Sequence, residues 1–212
     1  ETGASEATFD IQYGYIRRPT HRNTSWDMAR FEVCAHRYVD LSDADGGIAL
    51  LNDCKYGHKV RDHVIDLNLL RAPSDPDPDA DYGEHAFTYS LLPHPDRFLA
   101  SDVMAQAAML NRPPVIFQGY AAGGRRLPCR VEGDGLSLEV LKQAEKEEDL
   151  IVRVVETHGR RSSGTLCLDD PSACVTETDL MEWDDGQTYA APLQVELEPF
   201  EIRTYRIKQT GR

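Results

Sequence analysis

Leu193-Gln194-Val195-Glu196-Leu197-Glu198 alternates apolar with polar side chains without a break. A period of two is the mark of a strand with one dry and one wet face. Outward from this stretch the period recurs: in Leu136, Leu138 and Val140; in Ile65, Leu67 and Leu69 against Asp66 and Asn68; in Phe31, Val33 and Ala35 against Arg30, Glu32 and His36; and in His85, Phe87, Tyr89 and Leu91. Strands of this kind build antiparallel sheets that pack as sandwiches. Along residues 200–207 the apolar phase slips between Ile202 and Tyr205, which predicts a β-bulge. Asp45-Gly46-Gly47, Tyr56-Gly57 and Asp185-Gly186 punctuate the strands, and Gly133-Asp134-Gly135 reads as a hairpin tip. Only Ser101 to Leu110 reads as a helix, capped by Ser101 or Asp102 and stopped by Asn111-Arg112-Pro113-Pro114. Gly119 to Pro128 is rich in glycine and charge, so the chain is divided there into residues 1–119 and 120–212.

With 212 residues and 41% hydrophobic content the chain can bury a core. Its 36 acidic against 23 basic residues give a formal charge of −13. Such a field repels nucleic acids and anionic membranes, which need clustered Lys and Arg. A neutral partner such as a sugar fits better. No apolar run approaches the roughly 20 residues of a membrane helix. Five cysteines in no zinc-like spacing read as free thiols of a reducing, cytoplasmic compartment. Asn23-Thr24-Ser25 is formally a glycosylation sequon.

The densest polar constellation lies between Leu50 and His94. Asn52-Asp53-Cys54-Lys55-Tyr56-Gly57 ends a strand in a polar tip, where Lys and Asp could bond sugar hydroxyls and Tyr could stack on a pyranose; a solvated turn is the plainer account. The alternating aspartates from Asp75 to Asp81 fail as a calcium loop, because Ala80 and Ala86 stand where Gly and Glu belong. His85 and Glu84 point to opposite strand faces and make a poor acid–base pair. His94-Pro95-Asp96 has no further ligands beside it. No nucleophile elbow is present, and spacing cannot nominate a carboxylate pair for glycoside hydrolysis. From the residues alone, no catalyst emerges.

At Trp26 to Val33, Ala49 to Gly57, Leu67 to Pro73 and Ala80 to His94, in that order and spacing, the chain resembles glycoside hydrolase family 38, the α-mannosidases, and most of all their cytosolic-type branch. The Asn52 to Gly57 and Gly83 to His94 strings are the distinctive ones. The resemblance implies an all-β fold: a partial, galactose-mutarotase-like β supersandwich over residues 1–119, a small C-terminal β-sandwich over 120–212, and one short helix between. It implies a retaining α-mannosidase acting on oligosaccharides. The divalent metal (zinc, or cobalt in the cytosolic type) and the nucleophile would lie in an N-terminal barrel outside this chain, so no catalytic or metal-binding residue is expected here. That barrel is the expected partner; the supersandwich would normally begin earlier, so the present sheets would leave an edge or apolar face for its missing part to cover. Asn52, Asp53, Lys55 and Tyr56, then Arg71 and His85, are the expected rim of the sugar pocket. Two other readings are a self-sufficient carbohydrate-binding module, for which only Trp26 and Trp183 offer tryptophan platforms, and a mutarotase-like epimerase using His and Glu.

Overall fold

The computed structural model describes residues 3–119 and 127–208. The chain forms two compact units, Glu1–Phe117 and Gln118–Arg212. Most of the Gly119 to Pro128 stretch lies outside the described residues.

The first unit runs β1 (Glu6–Ile11), β2 (Gly14–Pro19), α1 (Ser25–Ala29), β3 (Val33–Cys34), β4 (Tyr38–Asp43), β5 (Gly46–Asn52), β6 (Gly57–Arg61), β7 (Val64–Asn68), β8 (Tyr89–His94) and α2 (Val103–Asn111). A five-stranded antiparallel sheet has the order β2-β1-β4-β5-β8, and a three-stranded one the order β3-β6-β7. Ala7, Phe9, Val39 and Leu41 of the larger sheet meet Val33, Val60 and Ile65 of the smaller. On its other face Tyr38, Ala49 and Leu51 lie under Phe98 and the Val103 and Ala107 face of α2. A sheet covered on both sides explains why Ala49-Leu50-Leu51 is apolar without alternation.

Two expected strands come out differently. Thr24 caps α1: its hydroxyl accepts the Asp27 N–H while the Asp27 carboxylate accepts the Thr24 N–H. Helical turn therefore reaches Ala29, and the strand expected from Ala29 to His36 shrinks to Val33–Cys34. Phe31 is turned to solvent, whereas Ala35 is buried. In β8 the expected dry face is the wet one. His85 and Phe87 precede the strand, and Tyr89 and Leu91 are 55% and 61% exposed. Leu92, on the opposite phase, packs under α2 instead. The apolar layer facing β3-β6-β7 draws on β1 and β4 but not on β8, an edge strand.

The second unit contains β9 (Cys129–Glu132), β10 (Leu136–Gln143), β11 (Leu150–Glu156), β12 (Ser162–Leu168), β13 (Cys174–Thr178), β14 (Asp185–Ala190), β15 (Leu193–Leu197) and β16 (Ile202–Ile207). Sheets of order β10-β11-β16-β13-β14 and β15-β12-β9 close on Val152, Val154, Val175, Tyr205 and Ile207 from one side and Leu166, Leu193, Val195 and Leu197 from the other. In β15 the three apolar residues are buried and Gln194 and Glu196 exposed, as the alternation predicts. Gly133-Asp134-Gly135 is not a hairpin tip: it carries the chain from β9 in one sheet to β10 in the other. The bulge expected in the closing strand is absent, since β16 keeps an unbroken register with both β11 and β13. Its phase slip reflects a central strand: Tyr205 and Ile207 enter the core, and Thr204 and Arg206 are buried on the opposite face. The registers shift instead in β10 between Leu138 and Val140, which brings Leu141 into line with Leu136 and Leu138, and in β13 between Thr176 and Thr178.

Candidate functional site

In the first unit, three strand ends converge at Gly57, whose Cα stands opposite Cys34 of β3 and Asn68 of β7. A Cβ on Gly57 would sit 2.6 Å from the Glu32 Oε1 atom, so the bare glycine leaves room for the Glu32 carboxylate at the strand end. There Glu32 accepts a 3.1 Å hydrogen bond from the Asn68 side-chain amide. The chain after β7 then leaves the sheet. Asp81 draws its two arms together, its carboxylate accepting the Ala72 N–H at 2.6 Å and its carbonyl the His85 Nε2–H at 2.9 Å.

The result is an open groove of about 680 Å³. Lys55, Tyr56 and Gly57 line one wall, Leu69, Leu70, Arg71 and Pro73 another, and Asp81 with His85 closes the end. Tyr56 is half exposed, with its ring edge-on to His36 at 5.4 Å. The Lys55 ammonium rests 5.0 Å from the centre of the Phe87 ring. Apolar walls carrying a phenol, an ammonium, a guanidinium and an imidazole can take a neutral polyhydroxylated molecule, its flat faces on the aromatic and aliphatic groups and its hydroxyls on the polar ones.

Four of the six residues expected at a rim, Lys55, Tyr56, Arg71 and His85, thus border one groove. Asn52 and Asp53 do not line it. Asn52 is buried, and its side chain is spent on the backbone: Oδ1 accepts the Lys55 N–H at 2.6 Å, and Nδ2 donates to the His36 carbonyl at 2.8 Å. Asp53 pairs with Thr88 through both backbone and side chain. The Cys54 thiol and then the Thr88 N–H hold its carboxyl below the usual aspartate range. Both residues shape the turn that presents Lys55 and Tyr56. Glu32, Asn68 and Asp81, also in the groove wall, carry no signal in spacing; only the pairing of β3, β6 and β7 collects them.

His94, in the literal His94-Pro95-Asp96 string, is committed elsewhere. Its Nε2 lies 2.8 Å from the buried Asp40 carboxylate and its Nδ1 2.8 Å from the Asp96 carbonyl. Among the described residues no group of three or more His, Cys, Asp or Glu side chains is placed to hold a metal ion, so the residues present do not fit the divalent cation that the resemblance implies. The five cysteines are free. No helix among the described residues is long and apolar enough to cross a membrane.

Residues 1–79 match the glycosyl hydrolases family 38 C-terminal domain, and residues 135–205 match the family 38 C-terminal beta sandwich domain. The chain is 41% identical over 208 residues to alpha-mannosidase 2C1 of Mus musculus and 31% identical over 232 residues to alpha-mannosidase of Saccharomyces cerevisiae. These matches take in 94% and 95% of this chain, but only 20% and 21% of the relatives' own length. The crystal structure of an alpha-mannosidase from Enterococcus faecalis superposes with a TM-score of 0.69 at 21% identity, over 95% of this chain and 24% of that one.

Proposed function

The chain belongs to glycoside hydrolase family 38 as its C-terminal β region, and on that premise we propose that the whole polypeptide is a retaining, metal-dependent α-mannosidase of the cytoplasm. It would remove terminal α-mannosyl residues from oligosaccharides, with this region bracing the catalytic barrel and bordering the sugar pocket. Unit 1 is then the later part of the supersandwich and unit 2 the closing sandwich. The zinc or cobalt ion would be held by that barrel, and no step of the bond cleavage is assigned to residues of this chain.

One observation carries the reading. Lys55 and Tyr56, Arg71 and His85, from three separate stretches of sequence, line a single groove at converging strand ends. Their part is to bind and orient hydroxyl groups and to shield one side of the sugar from water. The open β8 edge, with Tyr89 and Leu91 facing solvent, is a surface for the barrel portion to cover.

The test has two arms. The chain alone should not turn over an aryl α-mannoside, and co-expression with the barrel portion should restore turnover; hydrolysis by the chain alone would sink the reading. In the full-length enzyme, Tyr56→Ala and Arg71→Ala should each lower kcat/KM by about tenfold, the loss of about 1.4 kcal/mol of transition-state binding. Unchanged kinetics in both would remove the groove from the pocket.

A further inference from the structure

The second unit carries a concavity of about 210 Å³ beside the loop that joins β13 to β14. Its wall includes Trp183, two-thirds exposed. The loop is built to hold that indole outward. Asp179 accepts the Trp183 N–H at 2.8 Å, and the preceding residue, Glu182, adopts φ +63°. A non-glycine residue in the left-handed region costs of order 1–3 kcal/mol and persists only where its surroundings impose it. Here they do. The Glu182 carboxylate is buried, accepts the Glu145 N–H at 3.0 Å and pairs with Lys142 at 2.8 Å, while its carbonyl accepts a 3.0 Å bond from Arg206.

Arg206 also fixes the rim. Its side chain is buried, and it binds Glu147 at 2.5 Å and Asp185 at 3.2 Å, leaving both carboxylates half exposed. Every acid around the concavity has a basic partner, since Lys142 reaches Glu145 as well at 2.6 Å. Lys142 and Arg206 each serve two acids, so even with Lys146 nearby the site keeps a small negative surplus that turns anions away. It offers an apolar platform and two immobilised acceptors, which suits a neutral molecule with one apolar face and hydroxyls along its edge.

We propose that this concavity is a second, non-catalytic sugar site, in which a single pyranose ring stacks on Trp183 and donates hydroxyl hydrogen bonds to Glu147 and Asp185. That the ring is an α-mannoside rests on the function proposed above; that it is a pyranose rests on the site itself. Stacking displaces the Lys146 ammonium, which lies 5.9 Å from the indole centre, into water.

Because the chain has two tryptophans, Trp26→Phe leaves Trp183 as the sole indole reporter. Titrating that variant with methyl α-mannoside, and with methyl α-glucoside and methyl α-galactoside in parallel, should give a saturable change in emission with at least one glycoside. Adding Glu147→Gln and Asp185→Asn should weaken the affinity by about tenfold, the equivalent of about 1.4 kcal/mol, with emission before titration unaltered. No saturable response to any of the three glycosides would overturn the proposal. So would a response that the double carboxylate replacement leaves unchanged. Hydrolysis is not read, so an inactive full-length enzyme would refute the mannosidase reading while leaving this site standing. A response to glucoside or galactoside but not mannoside would keep the site and separate it from that reading.

Discussion

Asn52 and His58 show how a residue's chemistry can be used up by the fold. Asn52 satisfies backbone groups on both sides of the turn that carries Lys55 and Tyr56, and its own carbonyl accepts from the Asn111 side chain at 3.0 Å. Asn52→Ala strands buried donors and acceptors, so it should lower unfolding stability by about 1–3 kcal/mol in urea titrations. Asn52→Asp should not rescue it, because the His36 carbonyl would then face a carboxylate. His58 is fully buried, and that burial pushes its pKa below 6.5, outweighing the opposing hydrogen bond with the Tyr56 backbone, while the nearby His36 adds a smaller downward push. A base whose pKa is lowered on folding carries fewer protons folded than unfolded. Stability therefore rises with pH between the lowered value and 6.5, and acidification through that window weakens unit 1. Thermal unfolding in steps from pH 7 to 5 should show this slope, and His58→Gln should flatten it. Glu182 works at lower pH. Burial raises its pKa, but Lys142, the Glu145 N–H and Arg153 outweigh that and hold it below 4.5. Its contribution is present above 4.5 and is lost as pH falls through the lowered value.

At the scale of elements, Glu156 at the end of β11 is the clearest case of a turn organised by one buried side chain. Its carboxylate accepts the N–H groups of His158, Gly159, Arg160 and Phe200 and the Ser162 hydroxyl, at 2.8 to 3.3 Å. Glu156→Gln points an amide N–H₂ at those donors and should cost about 1.5–3 kcal/mol, read as a lower midpoint for unit 2 alone. β15 was legible at sight because one face is wet, so alternation survives. β16 was not: with neighbours on both sides and both faces covered, nothing forces its apolar residues onto one phase. The β8 face was misread for a related reason, since alternation tells which residues share a side but not which side is covered. The groove was half legible. Lys55 and Tyr56 announce themselves in one turn, whereas Glu32, Asn68 and Asp81 join them only through strand pairing.

For the whole molecule, a charge of −13 coexists with an apolar rim on unit 1, where Tyr89 and Leu91 flank an open strand edge. Salt screens the repulsion between copies within about 10 Å at 0.1 M but leaves the apolar attraction intact. The chain should therefore self-associate more as salt rises, and Leu91→Lys with Tyr89→Thr should suppress this in sedimentation velocity. A salt-independent monomer would show that the rim is not sticky. The antiparallel, all-β build was legible from turn spacing and alternation, and the family from two strings of residues; the sheet orders were not, because they are set by distant pairings.

The place of β16 in the second sheet has a temporal consequence. Residues 202–207 lie between β11 and β13, so during synthesis the sheet has a gap at its centre until they leave the ribosome. Unit 2 must wait, unsealed, for its keystone, while β1 to β8 of unit 1 have already emerged. A nascent chain stalled before residue 202 should yield a protease-resistant first unit joined to a second that trypsin destroys.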